Sequence, residues 1–310
     1  MRILLWHVHG SWTTAFVQGR HTYLIPVDAE RSPDGLGRAR TYDWPRSAVE
    51  VTEEEAADED VDLVVLQRPH ELEGLAERWL GGRRPGRDLP AVYLEHNAPQ
   101  ARIAEMRHPA ADRDDLTVVH VTHFNDLFWD CGGTPTRVIE HGVPDPGERY
   151  TGELPRCAVV INEAPRRGRV TGTDLLPRLS EAAPIDLFGM GSEPLGGDDL
   201  PQDRLHDEMA RRRAYLHPIR WTSLGLSLIE AMYLGMPVVA LATTEVAEAV
   251  PEAAGVVSNR MERLQQGLRD LVGDPDRARE AGRAARRAAQ TRFGIDRFLG
   301  DWDALLEEVA

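Results

Sequence analysis

The chain alternates short apolar runs with stretches of helical period. In its first half, residues 2–8, 21–27, 61–67, 91–95, 116–121 and 137–140 are short and apolar or β-branched, which predicts strands. Residues 53–60 form an acidic run that predicts the start of a solvated helix. Helices are also expected at 71–80 and 100–106. Residues 28–44 mix Pro, Gly, Asp and Arg without period and read as a loop. Its end carries Tyr42 and Trp44, which either pack on the domain surface or line a groove for a ligand.

Residues 141–155, HGVPDPGERYTGELP, have no apolar period and are rich in Pro and Gly, as an interdomain linker is. A second series follows. Strands are expected at 156–161, 185–188, 214–217 and 255–258, and helices at 173–179, 200–212, 262–272 and 275–290. Residues 291–310 repeat Phe293, Phe298, Trp302, Leu305, Leu306 and Val309 at helical spacing. Strand–helix alternation on both sides of the break predicts two α/β halves of roughly 150 residues, each a doubly wound parallel sheet. In such sheets ligands sit at the carboxyl ends of the strands, and with two halves the expected site is the cleft between them.

The most informative stretch is 217–249, HPIRWTSLGLSLIEAMYLGMPVVALATTEVAEA. A loop ends at Ser223-Leu224-Gly225-Leu226, and an apolar helix is expected over 227–234. Gly235-Met236-Pro237 stops that helix, and 238–242 is a buried strand. A glycine at a helix mouth exposes free N–H groups and the positive end of the helix dipole, which suits a phosphate. Glu230 interrupts the apolar face. A buried carboxylate needs partners, and ribose hydroxyls are one candidate.

Composition narrows the class. The chain has 310 residues and is 42% hydrophobic and 28% charged, as soluble globular proteins are. A net charge of −15 argues against a nucleic-acid partner. Cys131 and Cys157 have neither metal-type nor CxxC spacing, which fits a reducing compartment. No apolar run is long enough for a membrane span, and the first residues do not read as a signal peptide. A cytoplasmic protein is expected. His7, His9, His120 and His123 lie near strand ends, but their spacing does not fit a zincin-type metal site. The Arg-rich stretch 277–287 reads as a solvated helix face.

The stretch SLGLSLIEAMYLGMPVVA resembles the C-terminal signature of GT-B glycosyltransferases of family 4, the retaining group. Other landmarks fall in family order. Gly10 ends the first strand, where the family has a glycine-containing loop for acceptor and phosphate. His96, in VYLEHNAP, sits where the family has a histidine near the donor sugar. His141-Gly142-Val143 resembles the N-G-V before the linker, and Arg167-Gly168 the K-G whose cation binds diphosphate. Pro218 and Glu248 also match, and 291–310 resembles the final helix that crosses back to the first domain.

The resemblance implies two Rossmann-like domains facing across a cleft. They would be an acceptor-side domain over 1–148, a nucleotide-sugar domain over 149–290 and a crossover helix over 291–310. It implies a metal-independent, retaining sugar transfer from a nucleotide-diphospho sugar to a small-molecule, glycan or lipid acceptor. Glu230 would hold ribose. Gly225, Leu226 and Ser227 would hold the distal phosphate, with Arg167 or the adjacent Arg166 on the diphosphate and Gly10 beside it. His96 and Thr222 would serve the reacting sugar, with His9 and Ser11 on the acceptor side. Some positions depart from the pattern. Thr222 stands where the family has a glutamate, Ile161-Asn162 where it has G-R, and Thr244-Glu245 where it has G-G. These changes motivate an alternative, a degenerate sugar-nucleotide binder without turnover.

Overall fold

The computed structural model describes residues 1–310, which divide into two compact units. The first holds Met1–Gly142 with Ile295–Ala310, the second Val143–Gly294.

The first unit is built on seven strands, β1 (Arg2–Leu5), β2 (Thr22–Pro26), β3 (Ala48–Val51), β4 (Leu63–Leu66), β5 (Ala91–Glu95), β6 (Thr117–His120) and β7 (Thr136–Val138). They are paired throughout in parallel, in the order β3-β2-β1-β4-β5-β6-β7. The near-continuous burial of β1, β4 and β5 is what a sheet covered on both faces demands. Its helices are α1 (Gly10–Phe16), α2 (Glu53–Asp58), α3 (Ala76–Trp79) and α4 (His123–Phe128). Thr52 and Glu55 form a capping box on α2, which explains why the acidic run starts a helix there.

The second unit has five parallel strands, β8 (Leu154–Val160), β9 (Ile185–Phe188), β10 (Arg212–His217), β11 (Val238–Ala240) and β12 (Gly255–Val257). Their order is β12-β11-β10-β8-β9. The helices are α5 (Ala164–Thr171), α6 (Leu176–Ser180), α7 (Gln202–Arg211), α8 (Leu226–Leu234), α9 (Val246–Ala249), α10 (Met261–Gly273) and α11 (Pro275–Arg292). α8 is buried from Leu228 to Leu234 and stops at Gly235, whose φ of 89° suits glycine. α11 starts on Asp274, whose carboxylate accepts from Asp276 N and Arg277 N, with Pro275 in the first turn.

The last helix, α12 (Ile295–Val309), belongs to the first unit. Trp302 stands edge-on to Trp12 and Phe16, with ring centroids 5.7 and 5.0 Å away. Gly142 leaves room for Phe298, since a Cβ there would lie 2.3 Å from the Phe298 Cβ. Arg20 pairs with Asp303 and Glu307, and Arg297 donates to the carbonyls of Glu140 and His141.

Several expectations need correction. β3 and the helices α1, α4 and α5 lie in segments read as loops or left unassigned. Helix 100–106 is only a 3-10 turn at Ile103–Glu105. Much of the stretch expected as a linker is fastened to the second unit. Arg149 N and Tyr150 N donate to Leu234 O, Thr151 N and Gly152 N donate to Ala210 O, and Asp145 pairs with Arg286. Irregular backbone that finds such partners is ordered, whatever its Pro and Gly content. Trp44 is buried, donates to Thr14 and lies 4.8 Å from the His7 ring, so it packs within the domain.

Candidate functional site

Both sheets reverse direction of growth beside their first strand. In the first unit this switch point lies between β1 and β4, and in the second between β8 and β10. A crevice opens outside the carboxyl ends of strands at such a point. Most of the residues singled out above lie there, each set within its own unit.

In the second unit the loop after β10 leads into α8. Gly225 is the N-cap residue, with φ −72° and ψ 124°, and no side chain caps the helix. Gly225 is required by space rather than by backbone angle. The buried His217 ring, at the end of β10, occupies the place of a Cβ, with Cε1 2.7 Å from it. Two residues before His217 on β10, Tyr215 donates to Ser227 Oγ at 2.9 Å and so fixes the first turn of α8. The amides of Leu226 and Ser227 stand in that first turn, where no preceding helical carbonyl takes them.

Glu230 is 7% exposed. Its carboxylate lies 3.5 Å from His206 Nε2 on α7, and Gln202 Nε2 is 2.9 Å from the same nitrogen. The sequence reading missed His206 and Gln202, because α7 reads as an ordinary polar helix. Their position beside Glu230 depends on two helices meeting.

Adjacent to this mouth, α5 follows β8. The three neighbouring arginines are now separable. Arg166 is exposed and pairs with Glu163, while Arg169 is exposed and pairs with Asp174. Arg167 is half-buried and makes no ion pair. Burial, and then the Arg166 charge, lowers its pKa somewhat. The chain contains no lysine, so every side-chain ammonium or guanidinium is an arginine. Segment 169–174 is tied to the loop before α8. Val170 O accepts from Arg220 N and Trp221 N, and Arg220 pairs with Asp174.

The departures from the family pattern also have structural answers. Asn162 Oδ1 accepts from Met190 N. Thr244 keeps a φ of 50°, a conformation that favours glycine, although it is β-branched. The acid Glu245 is buried and paired with Arg292, so its charge is locally offset. Thr222 lies half-buried in the loop before the helix mouth.

In the first unit the residues after β1, β4 and β5 converge. His9 is the N-cap of α1, with Gly10 and Ser11 in its first turn, so these two lie on a helix rather than a loop. Ser11 Oγ is 3.0 Å from the Tyr42 hydroxyl. The His9 and His96 rings lie 4.0 Å apart, and Trp12 stands edge-on to His96. Burial drives the pKa of His96 well down, with His9 and His141 adding to it. Burial likewise lowers His9 to about 4 and His141 to about 3. At neutral pH these buried rings are uncharged imidazoles. No group of three or more His, Cys, Asp or Glu side chains is placed to hold a metal ion. Cys131 and Cys157 are both buried and free.

The chain is similar to the sucrose-phosphate synthase of Thermosynechococcus elongatus, at 14% identity and a TM-score of 0.70, over 99% of this chain and 98% of that one. Anabaena Alr3699/HepE in complex with UDP and glucose gives a TM-score of 0.73 at 15% identity, over 99% of both chains. S. aureus TarM, solved with UDP among its ligands, gives 0.63 at 13% identity over 79% of this chain. The chain covers only 55% of that TarM structure. No curated protein sequence matches. These likenesses establish the GT-B fold. The family model for glycosyl transferases group 1 matches residues 198–288, the segment that carries α7, α8 and Glu230. The chain thus has the GT-B fold, and its second unit carries a segment similar to glycosyl transferases group 1.

Proposed function

We propose that the protein is a retaining glycosyltransferase that takes its sugar from a nucleotide-diphospho sugar, with a uridine diphosphate sugar as the first donor to test. The observation that carries this reading is the α8 mouth. Gly225, Leu226 and Ser227 offer uncapped amides at a switch point, and Glu230 lies one turn further along the helix. Phosphate is held there by N–H groups and dipole, and ribose hydroxyls donate to Glu230. Arg167, which makes no ion pair, serves the diphosphate. The choice of uridine rests on UDP in the HepE and TarM structures.

The reaction is metal-independent in this reading. The C1–O bond to the diphosphate breaks and the acceptor oxygen bonds to C1 on the same face. The acceptor proton passes to the leaving phosphate oxygen, whose charge Arg167 and the α8 dipole stabilise. His96, His9, Ser11 and Gly10 form the acceptor and sugar side, and Thr222 hydrogen-bonds the sugar. The acceptor is a small molecule, glycan or lipid, and the compartment is the cytoplasm. No helix is long and apolar enough to cross a membrane.

Calorimetry with UDP, GDP, ADP and TDP tests the donor. UDP binding that weakens at least tenfold in Glu230→Ala is expected, and wild-type affinity in that variant would sink the ribose assignment. Proton NMR of slow UDP-glucose hydrolysis in the presence of EDTA tests the rest. The α-anomer of glucose appears first if the reaction is retaining, and loss of turnover with EDTA contradicts metal independence. A second reading, a binder without turnover, is favoured by Thr222 in the family's acidic position. Binding without hydrolysis or transfer for any donor tried supports it.

A further inference from the structure

Three neighbouring parallel strands of the first unit, β1, β4 and β5, each place one residue directly after their carboxyl ends: Trp6, Gln67 and His96. All three are buried. Gln67 Nε2 donates to the Trp6 carbonyl at 2.7 Å, and Gln67 Oε1 lies 3.0 Å from His96 Nε2. A backbone carbonyl can only accept, so the amide atom facing Trp6 must be the NH2 group. The atom facing His96 is then the carbonyl oxygen, which also can only accept. His96 Nε2 must therefore carry the hydrogen. The reverse orientation would set the amide oxygen against the Trp6 carbonyl, two acceptors facing each other.

The main chain at Gln67 is held as well. Its backbone N–H donates to Glu71 Oε2 at 2.6 Å, and Glu71 is held in turn by Arg68, whose Nε lies 2.5 Å from Oε1. Arg68 is anchored further by Asp34 and the Pro33 carbonyl. The charged groups of this relay thus sit behind Gln67. The His96 ring itself faces Trp12 and His9, and His141 and His9 are its titratable neighbours.

We propose that Gln67 is a positioning residue that holds His96 as the neutral Nε2–H tautomer, so that Nδ1 is the ring's accepting atom. His96 then serves the sugar by accepting a hydrogen bond from a hydroxyl, not by donating a proton. This last consequence rests on the reading that His96 lines the donor-sugar site; the tautomer does not. A glutamine suits the task because it accepts from the imidazole without charge. A glutamate in its place would instead draw a second proton onto the ring.

Long-range proton–nitrogen correlation spectra of the 15N-histidine-labelled protein test the proposal, with His96 assigned by its loss in His96→Gln. The wild type is expected to show His96 protonated at Nε2 alone and unchanged from pH 8 to pH 5. Protonation at Nδ1, a tautomer mixture or titration near pH 6.5 overturns the proposal, and this measurement needs no variant at Gln67. In Gln67→Glu the ring should take up a second proton within that range. In Gln67→Leu it should become a tautomer mixture. The signals of the other histidines report that both variants are folded. His96 spectra identical in all three proteins also overturn the proposal. Adding UDP-glucose should shift the Nδ1 resonance in the direction of hydrogen-bond acceptance. UDP-glucose binding that leaves Nδ1 unmoved overturns the accepting role, while absence of binding bears on the donor reading and leaves the tautomer result standing.

Discussion

Tyr215 on β10 donates its phenolic hydrogen to Ser227 Oγ on the first turn of α8, at 2.9 Å. Through this bond the sheet sets the position of the amides that the mouth of α8 presents. Tyr215 is fully buried, and phenylalanine keeps its ring while removing only the hydroxyl. Tyr215→Phe is expected to cost about 1 kcal/mol in urea unfolding. UDP affinity should fall by less than tenfold, because the amides remain but lose their fixed placement. An unchanged stability and an unchanged affinity together would contradict the role given to this bond.

Gly225 and His217 make a tighter test. A methyl group at Gly225 collides with the His217 ring, so Gly225→Ala should destabilise by about 1–3 kcal/mol and weaken UDP binding. In the double variant Gly225→Ala, His217→Ala the collision is gone. The two changes should therefore be non-additive, and a double-mutant cycle that shows strict additivity would refute the steric account.

Arg167 and Arg166 are adjacent in sequence but differ in partners. Arg167→Ala should weaken UDP binding by at least tenfold, the scale of about 1.5–3 kcal/mol for a hydrogen bond to a charged group. Arg166, paired with Glu163 at the surface, should be replaceable by Ala with UDP affinity within twofold of wild type. Calorimetry that ranks the two variants in the opposite order would reassign the clamp.

The buried histidines make stability fall with acid. Burial holds His120 and His217 at about 4 and His141 at about 3, with Asp126 opposing the shift at His120. The unfolded chain takes up their protons near pH 6.5, while the folded chain does not until near 4 or below. These groups therefore contribute stability that is complete above pH 6.5 and is lost as the pH falls from there towards 4. The slope approaches about 1.4 kcal/mol per pH unit for each histidine. Urea midpoints measured from pH 7 to pH 4.5 should decline from the upper end of that range, and a flat profile down to pH 5 would exclude this origin.

Trp302 fixes the last helix to the first unit through Trp12 and Phe16. Trp302→Ala should cost about 3–5 kcal/mol. A loss under 1 kcal/mol by chemical denaturation would mean that α12 is held by its surface ion pairs with Arg20 and Arg137, which are worth little each.

The amino-acid order alone determined the two α/β series, the α8 mouth with its Gly235-Met236-Pro237 stop, and the resemblance of that stretch to group 1 glycosyl transferases. These features are local. Hydrophobic period, a helix stop and a short apolar strand are each written within a few consecutive residues, so they can be read without knowing what lies nearby. β3, α1 and α5 escaped the reading because Ala48–Val51, Gly10–Phe16 and Ala164–Thr171 have weak periods of their own, and pairing or packing selects their conformation. Tertiary structure alone decided which arginine of the 166–169 group lacks an acidic partner, that His206 meets Glu230, that much of 141–155 is bound to the second unit, and that Gln67 faces His96. Each of these depends on parallel strands or helices distant in sequence being set side by side. Hydrogen bonds and ion pairs between such elements leave no periodic trace in the chain that carries them.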